Sequence, residues 1–154
     1  IHCFHKISFA GNLSDPTGNK KLIDFLKICY EHKKSTHIMT AATHRPFEWY
    51  IKAFKSNPKA RWTFGIDGLP EESCLYRINQ DGEKLFNIMK TCREMGLQTK
   101  WQYIIFKYNE DHIEQAKQLA KDIDVIFELV YSGRFSSVTD PYRPTKNEIT
   151  TRLY

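Results

Sequence analysis

Residues 7–32 read ISFAGNLSDPTGNKKLIDFLKICYEH. A short apolar run stops at Ala10-Gly11-Asn12, and the turn Ser14-Asp15-Pro16-Thr17-Gly18 follows. Beyond it Leu22, Ile23, Leu26, Cys29 and Tyr30 recur at i, i+3/i+4, which makes one apolar stripe on a helix. Strand, glycine-bearing turn and helix form one βα step, the arrangement in which α/β proteins place ligands at the carboxyl end of a strand.

The step repeats along the chain. Strand-like runs occur at KISFA (6–10), THIMTA (36–41), RWTFGI (61–66), TKWQYIIF (99–106) and DVIFELV (124–130). Helix-like stretches lie between them: NKKLIDFLKICYEH (19–32), PFEWYIKAFKSN (46–57), GEKLFNIMKTCREMG (82–96) and NEDHIEQAKQLAKD (109–122). Pro46 suits a helix start and Gly96 a helix stop. This alternation predicts an α/β fold with a parallel sheet. Successive crossovers in one direction would bend it toward a barrel, and a flavodoxin-like open sheet is the alternative. Residues 1–134 are expected to form the domain. Residues 135–154, which lack a period and carry two prolines, are expected to form an extended or partly mobile extension.

Composition narrows the function classes. The 154 residues suffice for one domain, and no apolar run is long enough to span a membrane. The chain begins at Ile1 rather than Met, so it is read as a processed form, a fragment or a trimmed chain. The net charge of +5 comes from lysines and arginines scattered along helical stretches, a pattern that favours solvated helix faces over a nucleic-acid surface. The four cysteines (Cys3, Cys29, Cys74, Cys92) have no metal-loop spacing, and Cys29 and Cys92 fall on apolar helix faces. A reducing cytoplasm is the expected compartment. The six histidines, His44 among them, show no ligand spacing. A GxSxG elbow, a GxxxxGK[ST] loop and a GxGxxG fingerprint are all absent from the sequence.

The residues just after each strand give a candidate site. They are Gly11, Asn12, Ser14 and Asp15; Thr40, Thr43 and His44; Asp67, Gly68, Tyr76 and Arg77; Lys107, Tyr108 and Asn109; and Tyr131, Ser132 and Arg134. The set suits a ligand carrying an amine, a carboxylate and a ribose. Gly11 would admit a close backbone approach, Asp15 could accept from an ammonium, and Arg77 could grip a carboxylate through two hydrogen bonds. GNLSDP has an equally good reading as a plain turn with Asp15 or Thr17 as the N-cap. Asp67-Gly68 is also a common turn dipeptide.

Taken in order, the segments resemble a radical S-adenosylmethionine (SAM) enzyme domain over roughly residues 6–134. ISFAGNLSDP resembles the second barrel strand with its GGEP motif, in the CGNxGDP form of some bacterial and phage members. HIMTAAT (37–43) resembles the third strand, and WTFGIDGLPEESCLYRIN (62–79) the fourth, of pattern xxSxDG…YR. TKWQYIIFKYNEDHIEQAKQLAKDI (99–123) and VIFELV (125–130) resemble the fifth and sixth.

The resemblance implies a parallel-stranded partial (β/α)6 TIM-like barrel, with five strands present and the first missing. It implies SAM as cofactor, with Gly11, Asn12 and Asp15 near the amine, Thr40 and Thr43 near the ribose, Arg77 near the carboxylate, and Asp67 in the same cofactor set. Lys100, Gln102 and Ile104 share one face of their strand, and Asn109 follows it. Lys100, Gln102 and Asn109 are the substrate-side candidates, with the inward face left open between Lys100/Gln102/Ile104 and Trp101/Tyr103/Ile105. The family's CxxxCxxC loop holds a [4Fe–4S] cluster, which delivers the electron that cleaves SAM to a 5′-deoxyadenosyl radical. No such loop occurs in this sequence, so the cluster ligands are expected outside this chain. Two positions depart from the family: Asn12 stands where an acid is usual, and Gly65 where a serine is. The alternative is a catalytically degenerate relative acting as a binding or structural component. The open edge of the strand at 6–10 would then take a partner strand or a second copy.

Overall fold

Alternation along residues 98–104 buries Thr99, Trp101 and Tyr103 and leaves Gln98, Lys100, Gln102 and Ile104 less covered. Such a strand packs one face on helices and turns the other away from them. The computed structural model of the chain describes residues 4–11, 14–133, 135, 137–146 and 149. It has five strands, β1 (Lys6–Phe9), β2 (Ser35–Thr40), β3 (Arg61–Gly65), β4 (Gln98–Ile104) and β5 (Ile126–Val130). Four helices separate them, α1 (Leu22–Glu31), α2 (Phe47–Ser56), α3 (Gly82–Glu94) and α4 (Ile113–Asp122), with short 3-10 turns at Pro16–Gly18 and Ser73–Leu75.

All four strand pairings are parallel, and the spatial order is β1-β2-β3-β4-β5. A flavodoxin-like sheet must reverse direction at a switch point, which places helices on both faces. Here the order never reverses, so each crossover deposits its helix on the same side. The architecture is a parallel partial (β/α) barrel that is not closed.

The core fills the space between this sheet and its helices. Trp62 and Phe64 of β3 and Trp101 and Tyr103 of β4 are fully buried there, against Tyr50 and Phe54 of α2 and Leu85, Ile88 and Met89 of α3. The Trp101 indole N–H donates to the Ile66 carbonyl at 2.8 Å, so the largest ring of β4 leaves no polar atom unpaired. Cys29 and Cys92 are buried in this layer as small hydrophobes. The Lys100/Gln102/Ile104 face is therefore the open one. Residues register across it: Ser8 beside His37, His37 beside Arg61, Met39 beside Thr63, Thr63 beside Lys100, and Gln102 beside Glu128.

The helix ends follow local chemistry. Pro46 is the N-cap of α2, Asp81 caps α3 by accepting from the Lys84 N–H at 2.9 Å, and Gly96 takes φ +84 just beyond α3. Among the described residues of the C-terminal extension, Tyr142 packs on Tyr76 and Phe106, and its carbonyl accepts from the Lys107 N–H at 3.0 Å. The Thr145 N–H donates to Glu110 at 2.8 Å, and Lys146 meets Asp111 at 2.7 Å. Among the described residues no helix is long and apolar enough to cross a membrane.

Candidate functional site

The carboxyl ends of β1 to β5 open into one cleft of about 1210 Å³. Gly11, Ser14 and Asp15 line it from the first turn, Thr40, Thr43 and His44 from the second, Tyr76 and Arg77 from the third, and Tyr131 and Ser132 from the fifth. The open face of the sheet supplies the floor through Met39, Thr63, Gln102 and Ile104. Asn12 and Arg134 lie outside the described residues.

Asp15 caps the 3-10 turn that precedes α1 and ties it to β2. Its Oδ1 accepts from the Thr17 N–H at 2.9 Å, from the Thr17 hydroxyl at 2.6 Å and from the Thr40 hydroxyl at 2.9 Å; its Oδ2 accepts from the Ala41 N–H at 2.8 Å. Four donors occupy most of the accepting capacity of a carboxylate. Asp15 thus borders the cleft while its oxygens are engaged by the protein itself. Asp15→Ala should cost about 1–2 kcal/mol, since it removes a cap and unpairs the Ala41 N–H. Urea unfolding of the variant checks this, and an unchanged midpoint would show that the ties are energetically idle.

Gly11 serves the same turn. A Cβ there would lie 1.4 Å from the Ser14 carbonyl oxygen, so any side chain is excluded by the backbone curling back on itself. The requirement for glycine is internal to the turn and is met before any ligand arrives.

Thr40 and Thr43 differ in what they can still do. The Thr40 hydroxyl donates to Asp15 and accepts weakly from the Ala42 N–H at 3.3 Å. The Thr43 hydroxyl accepts from the Asp81 N–H at 3.2 Å, which leaves its own proton available to a ligand.

Arg77 lies across the end of β3. A Cβ on Gly65 would stand 2.9 Å from the Arg77 Nη2 and 3.2 Å from its Cζ, so the bare backbone of Gly65 is what makes room for the guanidinium. The hydroxyl expected at position 65 from the resemblance would occupy the same volume. Behind the guanidinium sits Asp67, fully buried, with its Oδ2 2.7 Å from the Arg77 Nε. The N–H there is poorly aimed at the oxygen, so the contact acts through charge more than as a directed hydrogen bond. Asp67 Oδ1 accepts from the Ile104 N–H at 2.9 Å. Burial pushes the Asp67 carboxyl above the ordinary carboxylate range, and the Arg77 charge and the Ile104 hydrogen bond oppose that push.

Two expected residues stand elsewhere than expected. Asp67, grouped with the cofactor contacts, does not line the cleft, because its side chain is enclosed behind Arg77. Asn109, grouped with the substrate side, is fully buried. Its Oδ1 accepts from the Phe106 N–H at 2.7 Å and its Nδ2 donates to the Ile104 carbonyl at 3.0 Å, closing the loop after β4. Lys100 and Gln102 are on the open face. The Gln102 amide lines the cleft, and Lys100 pairs with Glu128 at 2.8 Å.

Gln80 was missed. Its amide donates to the Ala41 carbonyl at 2.6 Å and to the Gly65 carbonyl at 2.9 Å, and its Oε1 accepts from the Ser73 hydroxyl. It thereby staples the Arg77 loop to the ends of β2 and β3. Only the buried position of a glutamine after the LYRIN run could have signalled it.

Gly65→Ser should displace the guanidinium and lower the affinity of the cleft for a carboxylate ligand about threefold to tenfold, the cost of one disturbed charge-assisted hydrogen bond. Titration with SAM, the ligand the resemblance implies and whose methionyl end carries such a group, checks this. Unaltered affinity would mean that Arg77 tolerates a neighbour.

Among the described residues no group of three His, Cys, Asp or Glu side chains could hold a metal ion. The cleft lining offers hydroxyls, amides, the His44 imidazole, the engaged Asp15 carboxylate and one guanidinium, with no cysteine among the described lining residues. This set suits a charged organic ligand and does not suit an iron–sulfur cluster.

No protein-family model and no curated protein matches the chain by sequence. Solved structures do match. The structure of Streptococcus suis SuiB bound to S-adenosylmethionine aligns with a TM-score of 0.66 at 16% identity, over 92% of this chain and 32% of that one. The structure of anSMEcpe with bound AdoMet and Cp18Cys peptide aligns with a TM-score of 0.70 at 13% identity, over 96% and 44%. A domain of pyruvate-formate lyase-activating enzyme from Bacteroides vulgatus aligns with a TM-score of 0.61 at 11% identity, over 96% and 89%. The chain thus spans about a third of SuiB, and at these identities the likeness is one of fold.

Proposed function

We propose that this chain is the SAM-binding and substrate-binding portion of a radical SAM enzyme. The observation that carries the reading is the single cleft at the carboxyl ends of five parallel strands in unbroken order, with Arg77 presented into it. Similar folds bind S-adenosylmethionine in SuiB and anSMEcpe. Arg77 would hold the methionyl carboxylate. The spare Thr43 proton would reach the ribose, and Ile104 and Val130 would supply the apolar wall for the adenine. Because the Asp15 oxygens are engaged, its part would be to hold the turn that borders the amine. The [4Fe–4S] cluster, which would supply the electron for SAM cleavage, would be ligated by residues outside this chain.

Isothermal titration of the chain with SAM tests the reading. One-to-one binding that is lost in Arg77→Ala supports it. A folded chain that takes up no SAM overturns it.

A second reading is a binding component without catalysis. It is favoured by the outer edge of β1, which pairs with no strand among the described residues, and by the neighbouring exposure of Phe25 and Ile28 on α1. It requires association with a partner or a second copy in solution. A monomer by sedimentation that also binds SAM rules it out.

A further inference from the structure

The open face of the sheet is cationic below the cleft. Lys6, Arg61 and Lys100 all point to this face, as the register with Ser35, His37 and Thr63 requires. Glu128 meets Lys100 at 2.8 Å, whereas Arg61 and Lys6 have no ion-pair partner among the described residues. His37 sits among them with its Nε2 2.9 Å from the Thr63 hydroxyl. Its ring is held below the usual imidazole value, first by burial and then by Arg61, Lys100 and Lys6, while Glu128 opposes them. Three positive groups thus act on one point of a face that none of the helices α1 to α4 covers.

We propose that this face binds an extended peptide segment carrying acidic side chains. Lys6 on β1 and Lys100 on β4 are three strand spacings apart, about 14 Å at ~4.8 Å each, and the register offsets them by about four residues, ~13 Å, along the strands. A small anion cannot reach both. An extended segment laid across the strands can, with its carboxylates meeting successive cations. A nucleic acid also carries spaced negative charge, but the residues between the cations, Ser8, Ser35, His37 and Thr63, offer no Phe, Tyr or Trp platform for bases. The floor runs directly into the cleft through Met39 and Thr63, so a bound segment would lie beside the ligand held there. Naming the segment the substrate rests on the proposed function; the binding itself does not.

The test is titration at low salt with a short peptide of alternating Glu and Ser, beside its Gln counterpart. The Glu peptide should bind and the Gln peptide should not. Arg61→Gln and Lys100→Gln should each weaken binding roughly fivefold to tenfold, the loss of one charge-assisted contact. Glu128→Gln should tighten binding several-fold, because it frees Lys100 and removes a repelling carboxylate. A pair that only braced the sheet would give no such gain. Lys117→Gln and Lys121→Gln, on the exposed side of α4, should leave it unchanged.

Equal binding of the Gln peptide, or equal loss in the α4 variants, overturns the proposal, as does unchanged or weaker binding in folded Glu128→Gln. Competition by inorganic phosphate or by a single-stranded oligonucleotide at concentrations no higher than the peptide also overturns it. SAM titration in parallel keeps the two readings separate: loss of SAM binding with retained peptide binding strikes the proposed function alone.

Discussion

Arg77→Ala is expected to weaken SAM binding about 100-fold while the chain stays folded. A carboxylate held by a guanidinium fork gains two parallel charge-assisted hydrogen bonds, together worth about 2–3 kcal/mol in a partly enclosed cleft, and ~1.4 kcal/mol is a factor of ten. The Arg77 side chain is 24% exposed, enough to reach a ligand and enclosed enough that water does not fully screen it. Its Nε faces Asp67, and Nη2 lies over Gly65 toward the cleft. Arg77→Lys restores the charge without the fork and should recover only part of the affinity, leaving a deficit of about tenfold. The pair of variants separates charge from geometry. Equal affinities for Lys and Arg would reduce the site to a point charge, and a folded Arg77→Ala that binds SAM as wild type would place the carboxylate elsewhere. Circular dichroism at the titration temperature establishes that the alanine variant is folded.

The fold was legible because its two periods are unambiguous. Of the expected stripe Leu22, Leu26 and Cys29 are buried while Tyr30 is exposed, the alternation from Gln98 to Ile104 appears, and the element boundaries fall within about four residues of those expected. Alternation divides β4 into two faces but does not say which is covered. That depends on α3 packing over β4, with Phe86 edge-on to Trp101, a contact between elements. Larger apolar rings on one side were the available hint. The choice between barrel-like and flavodoxin-like order was beyond reach for the same reason, since strand order is a property of the assembled sheet.

The site was legible as a set of loops and less so as a set of roles. Arg77, Thr43 and Gln102 do line one cleft. Asp67 and Asn109 have the same polar, loop-end appearance in sequence, yet both spend their side chains on backbone groups at and just beyond the end of β4, Ile104 and Phe106. A polar residue after a strand can address a ligand or satisfy the carbonyls and N–H groups that the strand leaves unpaired. Residue type does not separate these uses. Gln80 shows the converse: its partners, Ala41 just past β2 and Gly65 at the end of β3, are far from it in sequence, so its role exists only once those two strands are neighbours.

Asp67→Ala is expected to cost about 2–3 kcal/mol of stability. The substitution unpairs the Ile104 N–H and leaves the Arg77 charge without its counter-ion; partial exposure of Arg77 keeps the figure below that of a fully buried broken pair. Asp67→Asn isolates the charge, since its amide oxygen can still accept from Ile104. Burial and Arg77 act on this carboxyl in opposite directions, and the pH dependence reveals which is stronger. With burial dominant, the folded carboxyl keeps its proton to higher pH than the unfolded one. Its contribution to stability is then fully present below the ordinary aspartate range and is lost as pH rises through the raised folded value. Asp67→Asn has no such proton. The stability of wild type relative to Asp67→Asn should therefore decline as pH rises across that window, measured by urea unfolding at a series of pH values. A relative stability that climbs instead would mean that Arg77 outweighs burial and that the pair is held ionised. In that case Asp67 would act as a fixed counter-charge, and part of the Arg77 field would already be neutralised before a ligand carboxylate arrives. The measured sign thus bears on affinity as well as folding: a carboxyl that keeps its proton leaves more of the guanidinium charge for the ligand.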